Sequence, residues 1–111
     1  MSKKEFIGSW RITEMEQWDQ DFIDAEVPGY ISFGENGMGE FQFGYVRGLM
    51  DCRYSDGVRK KTVEFSWEGN DEMDHAFGRG FAFVKDDVLS GHIFFHEGDD
   101  SEFKATRRSR I

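Results

Sequence analysis

Three histidines, one cysteine and a scatter of carboxylates are the residues of this chain that could do chemistry. His75, His92 and His96 are possible metal ligands or acid/base groups. His92 and His96 share a face of one extended run, but four residues of strand separate them by about 13 Å, too far to share one ion. His96 could meet Asp99 or Asp100 across a loop instead. No His-x-His or His-Glu-x-x-His pattern occurs, so zinc is not expected. Asp19-Gln20-Asp21 begins like a calcium loop, yet Asp24 stands where the loop glycine belongs and Tyr30 where the closing glutamate belongs. Cys52 has no second cysteine and no evident His partner, and reads as a small core hydrophobe. Gly78-Arg79-Gly80 lacks the lysine and helix of a phosphate loop, and no Gly-x-Ser-x-Gly elbow occurs. Glu14 with Tyr45 inside a lumen is the one acid/base pairing left. The expectation is no metal, no cofactor and no catalytic set, which points away from an enzyme.

The elements that must position these residues read as strands. Alternation at period two recurs along the chain, broken by Gly, Asn and Asp clusters, and no sustained helical period appears. The pattern predicts strands at 6–14, 30–33, 38–47, 49–54, 61–67, 75–85, 88–96 and 101–108, with Gly48 separating the third from the fourth. The connection over 16–28 is long and acidic, and its Trp18, Phe22 and Ile23 suit a short helix or a packed loop. Turns are expected at Gly34-Glu35-Asn36-Gly37, Ser55-Asp56-Gly57 and Lys85-Asp86-Asp87. Even spacing and sequential antiparallel pairing favour one all-β domain over 1–111, an up-and-down barrel of about eight strands rather than an open sandwich. Closure removes the exposed edges that invite aggregation.

Composition narrows the partners. The net charge is −8, and the last eight residues hold four basic side chains (Lys104, Arg107, Arg108, Arg110) and no acidic one. The rest of the chain therefore carries 10 basic residues against 22 acidic ones. Such a body repels phosphate backbones and anionic lipid, so neither nucleic acid nor membrane is expected as a partner. The N-terminus runs straight into the first periodic segment with no signal-like stretch, so a cytoplasmic location is expected.

In a meander, alternate connections share an end. The acidic connections are the first (Glu16, Asp19, Asp21, Asp24, Glu26), the fifth (Glu68, Asp71, Glu72, Asp74) and the seventh (Glu97, Asp99, Asp100). All are odd, which predicts a rim of long acidic loops over a compact base. Strand parity expects Trp10, Ile12, Phe41, Phe43, Tyr45, Met50, Tyr54, Val63, Phe65, Trp67, Phe77, Phe81 and Phe83 to point inward. Glu14, Arg47 and Arg79 continue those faces, and Arg79 could pair with Glu14 inside or meet a ligand carboxylate.

Gly8-Ser9-Trp10 on the first strand and Arg107-Arg108 at the end of the last resemble the lipocalin or calycin superfamily. The resemblance implies that Trp10 closes the base of an eight-stranded barrel and that a basic residue of the last strand, Arg107 by parity, packs over the indole. It also implies a ligand held inside. The stretches over 64–74 and 94–101 are similar to those of a group of small uncharacterised bacterial proteins. The first functional expectation is thus a barrel holding an apolar or aromatic small molecule, with Glu14, Tyr45, Arg47, Trp67, Arg79 and His96 as ligand-binding residues. The alternative is an inhibitor- or immunity-type interaction module that offers Asp71, Asp74, Asp99 and Asp100 to a basic protein.

Overall fold

A computed structural model describes residues 2–56 and 60–108. Eight antiparallel strands follow one another around a closed barrel, each hydrogen-bonded to the next and the last to the first. They are β1 (Gly8–Met15), β2 (Tyr30–Phe33), β3 (Met38–Phe43), β4 (Val46–Asp56), β5 (Lys61–Asp71), β6 (Asp74–Lys85), β7 (Val88–Phe95) and β8 (Asp100–Arg107). A 3-10 turn, Ser2–Glu5, precedes them, and a one-turn helix α1, Gln20–Ile23, sits in the first connection. Among the described residues no helix is long and apolar enough to cross a membrane.

Two boundaries depart from the sequence reading. The turn between β3 and β4 is Gly44-Tyr45, and Gly48 lies inside β4, where it faces the lumen. A side chain at Gly48 would run into the Phe41 ring at 2.6 Å and the Trp67 indole at 2.9 Å, so glycine is there for space rather than for a break. The fifth connection is not a long acidic loop. β5 and β6 continue to Asp71 and from Asp74, leaving the tight turn Glu72-Met73 with Glu72 at φ 57°. At the other end Asp86 and Asp87 both take positive φ, as a type I′ hairpin requires. Of the Ser55-Asp56-Gly57 turn, Asp56 ends β4 and Gly57 lies outside the described residues, as does Arg110 of the basic tail.

The base is closed as the Trp10–Arg107 resemblance implies. Trp10 pairs with Arg107 across the β1–β8 seam, and the Arg107 guanidinium lies 4.0 Å above the indole. The indole N–H donates to the carbonyl of Phe6 at 2.9 Å, and Arg107 donates to the carbonyls of Glu5 and Ile7. These bonds hold the N-terminal turn as a plug, with Phe6 fully buried against Phe33 and Tyr54. Nearby, burial pushes the Cys52 thiol up to about 11, with Asp51 adding to the rise, so it stays protonated and inert.

The opposite end is sealed by the first connection. Asp19 caps α1 by accepting from the N–H of Phe22, and Ile23 is fully buried. Trp18 packs on Phe22, Phe43 and Phe95 with ring centroids 5.0–6.1 Å apart. Asp24 ties this lid to β1: Arg11 donates to both its oxygens at 2.8 and 2.9 Å, and Gly29 N–H and Gln20 also donate to it. Burial alone would raise the Asp24 pKa, but these donors outweigh it, Arg11 foremost, and hold it below the usual carboxylate range. A depressed folded pKa contributes stability above the unfolded value of about 4, and that stability is lost as pH falls through the folded value. Asp24→Asn is therefore expected to cost about 2 kcal/mol at pH 7. The difference from the parent should shrink below pH 4, as read by urea titrations across pH 2–7.

Candidate functional site

Aromatic side chains line the interior. Phe41, Phe43, Trp67 and Phe95 form a chain of edge and stacked contacts with centroids 5.1–6.4 Å apart. Three of these rings pair across strands with glycine, Phe41 with Gly48 and both Trp67 and Phe95 with Gly78. A Cβ on Gly80 would meet Phe65 at 2.5 Å, and one on Gly91 would meet Phe103 at 2.9 Å. Trp67 is buried inside and donates to the Phe94 carbonyl at 3.2 Å.

This packing inverts the expected parity of the sixth strand. Gly78, Gly80 and Ala82 face inward, while Phe77, Arg79, Phe81 and Phe83 face outward, with Phe77 44% and Phe81 38% exposed. Phe65 and Trp67 pair across strands with Gly80 and Gly78, and four bulky side chains in one cross-section would not fit a small barrel. The expected ion pair of Arg79 with Glu14 is therefore absent. Arg79 lies outside with its guanidinium 4.8 Å over Phe94, and Glu14 is exposed on β1 beside Lys104. Arg47 is also on the outside, where it donates to Gln42 at 3.3 Å. Tyr45 is 41% exposed in the β3–β4 turn, edge-on to Phe22. Of the five ligand-binding residues expected on inward faces (Glu14, Tyr45, Arg47, Trp67 and Arg79), only Trp67 faces the lumen, and His96 is exposed at the rim.

The residues expected at the rim do come together in part. Odd connections share one end of the barrel, and a cleft of about 290 Å³ opens between the β5–β6 hairpin and the β7–β8 loop. Asp71, Asp99, His75 and His96 surround it, and Trp18 and Phe95 form its floor. Asp74 faces Asp71 across the hairpin turn. Asp100 lies lower, 2.5 Å from His92 on the barrel wall. The β7–β8 loop is drawn tight by Phe95 N–H donating to Asp99 and by Glu97 at φ 57°. His96 stacks on Phe77 with centroids 4.6 Å apart, and His75 lies 5.6 Å from the same ring. The rim is thus both negative and aromatic.

Sequence reasoning missed the aromatic wall below the cleft. Besides the His75–Phe77–His96 group, His92 stacks on Phe94 at 4.5 Å and lies 6.1 Å from Phe81. The signal was present in the Gly and Ala that alternate with these phenylalanines along β6. Two of the histidines on this surface meet carboxylates: His75 Nε2 lies 2.8 Å from Glu68, and His92 Nε2 lies 2.5 Å from Asp100. Among the described residues no three His, Cys, Asp or Glu side chains gather closely enough to hold a metal ion. Compared with models of protein families, with curated proteins and with solved structures, the chain matches none.

Proposed function

We propose that this barrel is a protein-interaction module that receives a basic partner on its acidic rim. The observation that carries the reading is the rim cleft, where carboxylates from two connections stand beside Trp18, His96 and Phe95. Asp71 and Asp99 flank a cleft whose walls are aromatic, a setting suited to an arginine or lysine anchor. The surplus of carboxylates on the body would steer a basic partner towards it. An apolar or aromatic small molecule held inside is the competing reading, drawn from the buried aromatic lining and the lipocalin resemblance carried by Trp10 and Arg107. The glycine-seated packing of that lining weighs against it.

The test uses the parent protein and a variant carrying Asp71→Asn, Asp74→Asn, Asp99→Asn and Asp100→Asn. Proteins enriched by the parent from cell extract should be basic. With one of them purified, the variant should associate at least tenfold more slowly at low salt and with a flatter salt dependence. The container reading makes the opposite demand. Native mass spectrometry would find a small apolar molecule on the purified parent, lost in Trp67→Ala and indifferent to the four Asp→Asn changes.

A further inference from the structure

The outward rings of β6 and β7 form a stripe with acid on both sides. Across the sheet, Glu68 pairs with Phe77 and Glu64 with Phe81 on the β5 flank. On the β8 flank Asp100 pairs with Phe94 and Glu102 with His92. Between these flanks stand the two stacked groups already described, one of Phe77 with His75 and His96, the other of Phe81 with His92 and Phe94. Lys60 stands 3.7 Å over Phe83 and ends the stripe towards the base. The six residue-to-residue steps from His75 to Phe81 give it a length of about 20 Å. Beside it the outer wall is scooped into a groove of about 690 Å³, where Leu49 (64% exposed), Met38 and Phe77 surround the short side chain of Ser66.

An apolar row of this kind on a monomer's surface is costly unless something covers it. The sheet has no free edge, so a partner cannot add a strand and must lie across the side chains. Four carboxylates on the two margins outnumber Arg79, which lies outward between Phe77 and Phe81 and over Phe94, so the face still disfavours a second copy and favours cations on both margins of whatever lies there.

We propose that the outer face of β6 and β7 is a docking stripe for a basic amphipathic helix, one with an apolar row flanked by lysine or arginine. The inference rests on the reading of this chain as a module for a basic protein, and it names the part of that partner which is held. The helix's apolar row lies along Phe77, Phe81 and Phe94, and its cations reach Glu64 and Glu68 on one side and Asp100 and Glu102 on the other. About 13 helical residues span the stripe. The rim cleft, which shares His75 and His96 with the stripe, takes the residues beyond the helix end.

The test uses designed peptides of about 16 residues with one shared leucine row. One has lysine flanks, a second glutamate flanks, and a third the lysines without the row. Titration calorimetry is run on the parent, on Phe77→Ser/Phe81→Ser, and on a rim variant with Asp71→Asn, Asp74→Asn and Asp99→Asn. Phe77 and Phe81 are exposed, so the double variant should fold, and its denaturation midpoint is checked first. Only the lysine-flanked peptide should bind the parent, with backbone amide shifts centred on Arg79, Phe81, His92 and Phe94. The double phenylalanine variant should weaken binding at least tenfold and the rim variant less than threefold. Equal binding of the glutamate-flanked peptide or the row-less peptide overturns the proposal, as does binding of none. Loss in the rim variant alone overturns the stripe and leaves the rim reading in place. A dimer in sedimentation that the phenylalanine changes dissolve makes a second copy the occupant and overturns it too.

Discussion

Trp10→Ala is expected to lower the free energy of unfolding by about 3–5 kcal/mol, the cost of truncating a large core side chain. Trp10 is 1% exposed and joins three parts of the base at once. It fills the lumen, its N–H satisfies the Phe6 carbonyl that would otherwise be buried without a partner, and its outer face carries the Arg107 guanidinium. Losing it leaves a void beneath Phe6 and frees Arg107 to swing into solvent. The N-terminal plug should then detach before the barrel opens. A urea titration gives the free energy, and hydrogen exchange at the N–H groups of Phe6 and Ile7 gives the plug. A loss below about 1 kcal/mol would mean that the indole is not a core member.

Gly78→Ala is expected to cost about 3 kcal/mol or more, an unusually large effect for one methyl group. A Cβ at Gly78 would lie 1.8 Å from the carbonyl oxygen of Phe94 and 3.0 Å from the Trp67 indole nitrogen. The first is backbone of the adjoining strand and cannot rotate away, so β6 and β7 must separate where Trp67 donates to that same carbonyl. The comparison that makes the measurement sharp is Phe81→Ala, three residues on and outward. Deleting that whole ring from an exposed site should cost about 1 kcal/mol or less. Thermal unfolding of both variants checks the pair. Equal losses, or a larger loss at Phe81, would contradict the outward placement of the β6 rings.

The contrast between those two residues also marks how far the fold could be read from the chain alone. β2 lies at 30–33 as its alternation predicts, and the inward sets Met50, Cys52, Tyr54 and Val63, Phe65, Trp67 follow their parity. Closure through Trp10 and Arg107 was legible because a short motif at each end of the chain met a meander that brings the ends together. The β6 faces were not. Alternating Phe and Gly states that the strand has two faces without stating which one is inside, and a single-residue shift of register exchanges them. The deciding information is on β5, whose Phe65 and Trp67 already occupy the cross-section, so it exists only once the two strands are set side by side. The length of β5 and β6 escaped for a similar reason. Glu68, Asp71 and Asp74 are poor strand formers by composition, and a partner strand, not their own preference, keeps them extended. At the rim, charge and topology together located Asp71, Asp99, His96 and Trp18.

Seating rings against glycines has a consequence for what this scaffold can become. A core in which large side chains interdigitate can slump when one is deleted, since its neighbours have rotamers to spare. Here the space behind Phe65 is bounded by the bare backbone of Gly80, and that behind Phe103 by Gly91, and backbone held in a closed ladder does not slump. Taking away one such ring would leave a dry vacancy with fixed walls, the size and polarity of the ring removed. Apolar vacancies of that kind stay free of water and admit benzene-like guests. The barrel is thus one substitution from offering such a vacancy, and the identity of the deleted side chain writes the shape of the guest.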